Sequence, residues 1–267
     1  MTWIRRTHFF IVCLITFLAG LATAPLQAEN QIVMTILYDN YAATEGIESD
    51  WGFSCLIEGM EKAILFDTGA KSDLLSRNAD RLKVDLNKVD VIVISHNHGD
   101  HTGGLAEILG NNPEVSVYFP VSFPKDFSDG IQAKKAELVR VSEPVEICRA
   151  AYLTGEMGSQ IKEQSLILDT EKGLVIITGC SHQGIVNILE RAKEIHQKDI
   201  YLVFGGFHLL RHSDAQINEI IQKFKSLGVK KCGATHCTGE RAIELFKEAY
   251  GKDFIPVGVG KVVRFSY

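Results

Sequence analysis

A layered α/β domain is the fold class this chain predicts, and three observations predict it. Short apolar runs of strand length recur along the chain, as in Val91-Ile92-Val93-Ile94 and Val175-Ile176-Ile177. From Leu174 onward such runs alternate with helical patterns, which is how a sheet acquires helical layers. Several runs end in small-residue turns that carry histidine, and α/β proteins build their sites at strand ends of that kind. No linker, low-complexity segment or internal repeat divides residues 29–267, so they read as one domain.

The first 28 residues stand apart from the fold. Arg5 and Arg6 form a positive n-region, Phe9 to Ala24 an apolar stretch, and small residues follow, the pattern of a secretory signal peptide. Cleavage after Ala28 or after Ala24 would deliver the chain to the periplasm or outside the cell, with no membrane attachment once the signal is removed. Loss of residues 1–28 leaves 239 residues, enough for one substantial core. It also leaves a net charge of −7 and no Lys/Arg run, which argues against a nucleic-acid partner and for a small-molecule substrate.

Three strands are expected first, at Ile32–Tyr38, Gly52–Ile57 and Ala63–Phe66, separated by Gly-containing turns. A helix from about Ser72 to Leu82 leads to the buried strand Val89–Ile94. The spacing of Leu105, Ile108 and Leu109 predicts a helix from near Thr102 that Gly110 stops. Between Pro113 and Gly158, which hold four of the six prolines, loops over the opening of a site are expected, with strand candidates at Val115–Phe119 and Leu138–Val141. A hairpin follows at Ser165–Asp169 and Leu174–Thr178. Then come helix Gly184–Ile195, strand Ile200–Phe204, helix Ala215–Leu227, strand Lys231–Ala234, helix Gly239–Tyr250 and a closing strand near Gly258–Phe265.

The chemistry is concentrated after Ile94. Ser95-His96-Asn97-His98-Gly99-Asp100-His101-Thr102-Gly103-Gly104 packs three of the nine histidines and a carboxylate into six positions. Neutral imidazoles need partners for both ring nitrogens, and metal binding supplies them. In extended backbone His96 and His98 point the same way and can share one ion, while Asp100 and His101 can face a second. Nitrogen with one oxygen suits zinc, and also iron or manganese.

Further ligands should come from other strand ends. Gly179-Cys180-Ser181-His182, Gly205-Gly206-Phe207-His208 and Ala234-Thr235-His236-Cys237 each follow an apolar run. His182 and His236 are therefore candidate ligands, and His208 a ligand or substrate contact. Asp67, in Phe66-Asp67-Thr68-Gly69, either orients a ligand imidazole or simply makes a turn. His196 and His212 read as solvated surface residues. Five cysteines remain after Cys13 leaves with the signal, an odd number that requires a free or metal-bound thiol; Cys180 and Cys237 lie beside the histidines.

The order Phe-Asp-Thr-Gly, Ser-His-x-His-x-Asp-His-Thr-Gly-Gly, a strand-end His and a last His before the terminal helix resembles the metallo-β-lactamase superfamily across essentially the whole mature chain. Gly179-Cys180-Ser181-His182-Gln183-Gly184-Ile185, Gly205-Gly206-Phe207-His208-Leu209 and Thr235-His236-Cys237-Thr238-Gly239 look like the branch that includes archaeal dihydropterin ribofuranosyl-aminobenzene phosphate synthases. The resemblance implies a four-layer αββα sandwich with two divalent metal ions at one edge. It implies His96, His98 and His182 on the first ion, and Asp100, His101 and His236 on the second. The superfamily's bridging Asp is absent, because this chain reads Thr178-Gly179-Cys180; Cys180 takes its place or His182 reorganises the site. The expected activity is hydrolysis of a small ester, lactone or phosphoester by metal-activated water, with Asp100 and His208 as catalytic residues. Group transfer of the synthase kind and metal or ligand binding without turnover are the alternatives.

Overall fold

The structure is a computed structural model that describes residues 31–266, so the signal peptide read at residues 1–28 lies outside the described residues. The chain opens with β1 (Gln31–Tyr38), β2 (Ser54–Glu58) and β3 (Ile64–Phe66). Helix α1 (Ser72–Arg81) leads to β4 (Val91–Val93), the short α2 (Gly99–Thr102) and α3 (Leu105–Asn111). Next are β5 (Ser116–Pro120), α4 (Lys125–Gln132), β6 (Glu137–Val141), β7 (Val145–Cys148) and β8 (Ala151–Leu153). The hairpin β9 (Leu166–Thr170) and β10 (Gly173–Thr178) precedes α5 (Ile185–His196), β11 (Ile200–Gly206) and α6 (Asp214–Ser226). The described chain ends with β12 (Lys231–Thr235), α7 (Glu240–Tyr250) and β13 (Val262–Ser266).

Two mixed sheets result, in the orders β13-β1-β2-β3-β4-β5-β6 and β12-β11-β10-β9-β8-β7. Period-two alternation decides what each face covers. In β4, Val91 and Val93 point into the core shared by the two sheets, where they join Phe53, Phe66, Val175, Ile177, Leu202 and Phe204. Ile92 and Ile94 point the other way, onto the layer of α1, α3 and α4. On the second sheet Ile176 and Val203 face α5, α6 and α7. The product is the expected four-layer αββα sandwich. Phe53 meets Phe66 and Phe204 with ring centroids 6.4 Å apart in both pairs, tying the sheets together.

Parallel pairing places the functional ends of the strands together. β3, β4, β5 and β6 run parallel, as do β10, β11 and β12, and the carboxyl ends of both sets lie at one edge of the sandwich.

Three expectations need correction. The helix read as one piece from Thr102 is two, α2 and α3, because the chain turns at Gly103-Gly104; Gly110 lies inside α3 and does not stop it. The segment from Pro113 to Gly158 is mostly regular, with four strands and α4, since its prolines sit in the turn after α3, at strand ends and at the start of α4. His196 is half-buried against the Tyr152 ring, 4.4 Å between centroids, whereas His212 is exposed as expected.

Candidate metal centre

Four strand ends and one helical turn bring the predicted ligands together. His96 and His98 leave β4, and the imidazole of His182 arrives from the end of β10. Their ring centroids form a triangle with sides of 4.6, 4.6 and 4.9 Å. A second group contains Asp100, His101, His236 and Cys180, whose ligand atoms all lie within 4.8 Å of one another. Asp100 Oδ2 stands 3.5 Å from His101 Nε2 and 3.4 Å from His236 Nε2, and Cys180 Sγ is 3.3 Å from His101 Nε2. The two groups adjoin, since the His96 and His101 rings are 4.2 Å apart.

An outer layer of oxygens fixes which nitrogen each imidazole turns inward. His101 Nδ1 is 2.7 Å from Asp67 Oδ2, and His182 Nδ1 is 3.0 Å from Glu163 Oε2. A carboxylate only accepts, so both Nδ1 atoms carry a proton, which leaves Nε2 as the ligating atom of each ring once the imidazole is neutral. Asn40 Oδ1, which already accepts the Gly52 N–H, does the same for His236 Nδ1 at 2.9 Å. Ser95 donates its hydroxyl to Asp67 Oδ2 at 2.7 Å and lies 2.9 Å from His96 Nδ1. The inward atoms are then Nε2 of His96, His101, His182 and His236, with His98 presenting Nδ1.

This donor set fits divalent ions. His236 Nε2 is buried with no hydrogen-bond partner, a cost that coordination removes. His96 Nε2 and His98 Nδ1 face each other at 3.0 Å, which requires a cation or a proton between them. Imidazole nitrogens backed by carboxylates are the usual arrangement of such ligands.

Charge is distributed unequally between the groups. Burial, reinforced by the neighbouring imidazoles, holds His96 far below the usual histidine range and lowers His98 too. Burial also works against a charge on His101, but Asp67 and Asp100 outweigh it and carry that imidazolium up to about 10. Asp100 is depressed despite its burial, because the imidazoles of His101 and His236 stand beside it. Burial raises the Cys180 thiol.

Several site residues sit in the left-handed region that side chains other than glycine avoid. Asp67, Ser181, His208 and His236 have φ of 57, 64, 55 and 50°. Each costs on the order of 1–3 kcal/mol and is held by its surroundings. Gly179 is required where the layers meet, since a Cβ there would fall 2.2 Å from Ser95 Oγ.

His208 joins neither group directly. It lies with Cys180 and Cys237 in a third set of close ligand atoms, and its ring is 4.5 Å from that of His182. His182 and His208 also line an open cavity of about 580 Å³ with Ser159, Gln183 and Asn187. Both polar atoms of the Gln183 side-chain amide are buried there without a partner.

Glu163, Asn40 and Asp39 were not legible as site residues. Glu163 is fully buried and accepts the backbone N–H groups of Cys180, Ser181 and His182 at 2.8, 2.9 and 2.9 Å. It precedes β9, and only the antiparallel pairing of β9 with β10 carries it to the ligands. Asp39 accepts the Thr235 hydroxyl, and burial raises its carboxyl to about 7. Its signal was present in Tyr38-Asp39-Asn40, polar residues closing a strand as Asp67 does.

Comparison with known proteins agrees with this geometry. The family model for the metallo-beta-lactamase superfamily matches residues 52–194. The 7,8-dihydropterin-6-methyl-4-(beta-D-ribofuranosyl)-aminobenzene-5'-phosphate synthase of Methanocaldococcus jannaschii is 30% identical, over 90% of this chain and 98% of its own. The crystal structure of Tm1679, described as a metal-dependent hydrolase of the beta-lactamase superfamily, is 30% identical with a TM-score of 0.75, over 88% of this chain and 100% of that one. The metallo-beta-lactamase fold protein YhfI of Bacillus subtilis shares the fold at 14% identity and a TM-score of 0.67, over 89% and 100%.

Proposed function

Because the chain belongs to the metallo-β-lactamase superfamily, we propose that it is a hydrolase using two divalent ions, zinc fitting the donors best, to cleave a small ester, lactone or phosphoester. The observation that carries this reading is the pair of adjoining donor groups, five inward-facing imidazoles, a thiol and a carboxylate, beside an open polar cavity. His96, His98 and His182 would hold one ion, and Asp100, His101, His236 and Cys180 the other. When bound, such ions supply Lewis-acid polarisation and a water of lowered pKa.

The chain's own residues supply the rest. Asp100, kept ionised by His101 and His236, is a weak base; it orients an attacking water through its acceptor oxygens. The neighbouring Cys237 side chain raises the pKa of His208, which favours a cationic imidazole facing the cavity where the anion develops. The unpartnered Gln183 amide offers both a donor and an acceptor to a polar substrate. The signal-peptide pattern supports work in the periplasm or outside the cell. Among the described residues no helix is long and apolar enough to cross a membrane.

Group transfer of the kind named for the Methanocaldococcus jannaschii relative is the second reading, favoured by 30% identity across nearly both chains. Metal-loaded protein assayed on nitrophenyl esters, lactones and phosphodiesters tests the first. Turnover that falls at least ~100-fold in Asp100→Ala supports it; two bound ions without turnover on any of these classes refute it.

A further inference from the structure

We propose that Cys180, His208 and Cys237 form a third, sulfur-rich metal site that takes a thiophilic divalent ion such as zinc or cadmium. The topology makes the site. β10, β11 and β12 are adjacent and parallel, with Thr178 opposite Gly205 and Gly206 opposite Thr235. Each of the three residues follows its strand's last residue by two positions, so they emerge side by side from one sheet edge. Cys180 and Cys237 come from the outer strands, and their thiols must meet across β11.

Gly206 lets them do so. A Cβ at Gly206 would lie 2.7 Å from Cys237 Sγ, so the missing side chain is the space this thiol occupies. From there Cys237 Sγ reaches within 3.5 Å of the Cys180 carbonyl. The ligand atoms of the two cysteines and His208 all lie within 4.8 Å of one another. A tetrahedral zinc with Zn–S of about 2.3 Å needs its sulfurs about 3.8 Å apart, so the set closes on an ion with small side-chain rotations.

Donor chemistry sets the ion class. Two sulfurs and an imidazole favour zinc, cadmium or copper(I) over magnesium, calcium or manganese. On binding, the protons that the two thiols and the His208 imidazole still carry leave to solvent, and the ion takes two thiolates and a neutral imidazole. Both cysteines are buried and neither is in a disulfide, while His208 is exposed and opens the site to the cavity. Cys180 belongs also to the group of Asp100, His101 and His236, so its thiolate would bridge the two sites. Occupancy withdraws His208 from the cavity lining. The inference goes beyond hydrolysis and is tested by counting ions rather than turnover.

Metal-free full-length protein is titrated anaerobically with cadmium, following bound metal and the thiolate-to-cadmium ultraviolet absorption. The expected result is three ions per chain, with Cys237→Ser binding two and losing about half of the absorption. His208→Ala should weaken the last ion at least ~10-fold while the first two remain. Manganese should fill no third site. Unchanged stoichiometry and absorption in Cys237→Ser would overturn the proposal, as would two ions in the unaltered protein. Formation of a Cys180–Cys237 disulfide under the same anaerobic conditions, seen by peptide mass mapping, would overturn it as well.

Discussion

Glu163 Oε2 lies 3.0 Å from His182 Nδ1 while the same side chain accepts three successive backbone N–H groups, those of Cys180, Ser181 and His182. One buried carboxylate therefore shapes the turn after β10 and sets the tautomer of the imidazole that the turn delivers. Burial alone would raise its pKa, yet these bonds hold it below the usual carboxylate range.

Glu163→Gln keeps the size of the side chain but removes its charge and one of its acceptor oxygens. Metal affinity at the group of His96, His98 and His182 should fall by about 10–100-fold. The group of Asp100 should be much less affected. Isothermal titration of the metal-free variant separates the two, and equal losses at both would contradict the assignment.

The two groups should also differ in proton release. His96 and His98 are held neutral, so filling their group at pH 7 should release few protons. His101, raised to about 10, and the Cys180 thiol must each lose a proton when the second group fills. The second ion should therefore bind more weakly as pH falls, and calorimetry in buffers of different ionisation enthalpy should show about two protons leaving with it. Equal release at both steps would be inconsistent with this charge distribution.

Asp39 predicts a pH dependence of stability in the metal-free protein. Its pKa rises from 3.8 to about 7 on folding, so between those values the folded chain holds a proton that the unfolded chain does not. That contribution is fully present below about pH 4 and is lost as pH rises through 7, on the order of 1 kcal/mol per pH unit. Urea unfolding of the native chain and Asp39→Asn across pH 4–8 should show the slope in the first and a flatter profile in the second.

Phe204 is fully buried where the sheets meet and packs on Phe53. Phe204→Ala should cost about 3–5 kcal/mol in unfolding free energy without changing the fold. Denaturant titration measures the loss; a cost below about 1 kcal/mol would mean that the two sheets do not depend on this contact.

Much of this protein was legible in its residues alone. The run Val91 to Ile94 marks a strand buried on both faces, and the His96 to His101 segment marks a candidate metal site because both its spacing and its chemistry are local. His182, His208 and His236 were found by the same signal, a histidine in a small-residue turn after an apolar run. Glu163 and Asn40 carry no such signal, since nothing in their neighbours says which imidazole each will meet. Strand pairing and sheet packing decide it: β9 pairs with β10, and the end of β1 in one sheet lies against the end of β12 in the other, so residues 19 and 196 positions from their partners come within hydrogen-bonding distance. The place of Cys180 was open for the same reason. Its thiol could replace the absent carboxylate or leave His182 to reorganise the site, and only the packing of two sheets sets it beside His101, His236 and Cys237. Residue type and spacing determined the candidate ligands and the donor chemistry they offer, because those act along the chain. Tertiary structure decided which oxygen orients each ligand and where the sulfur lies, because hydrogen bonds between strand ends depend on a register that no local pattern encodes.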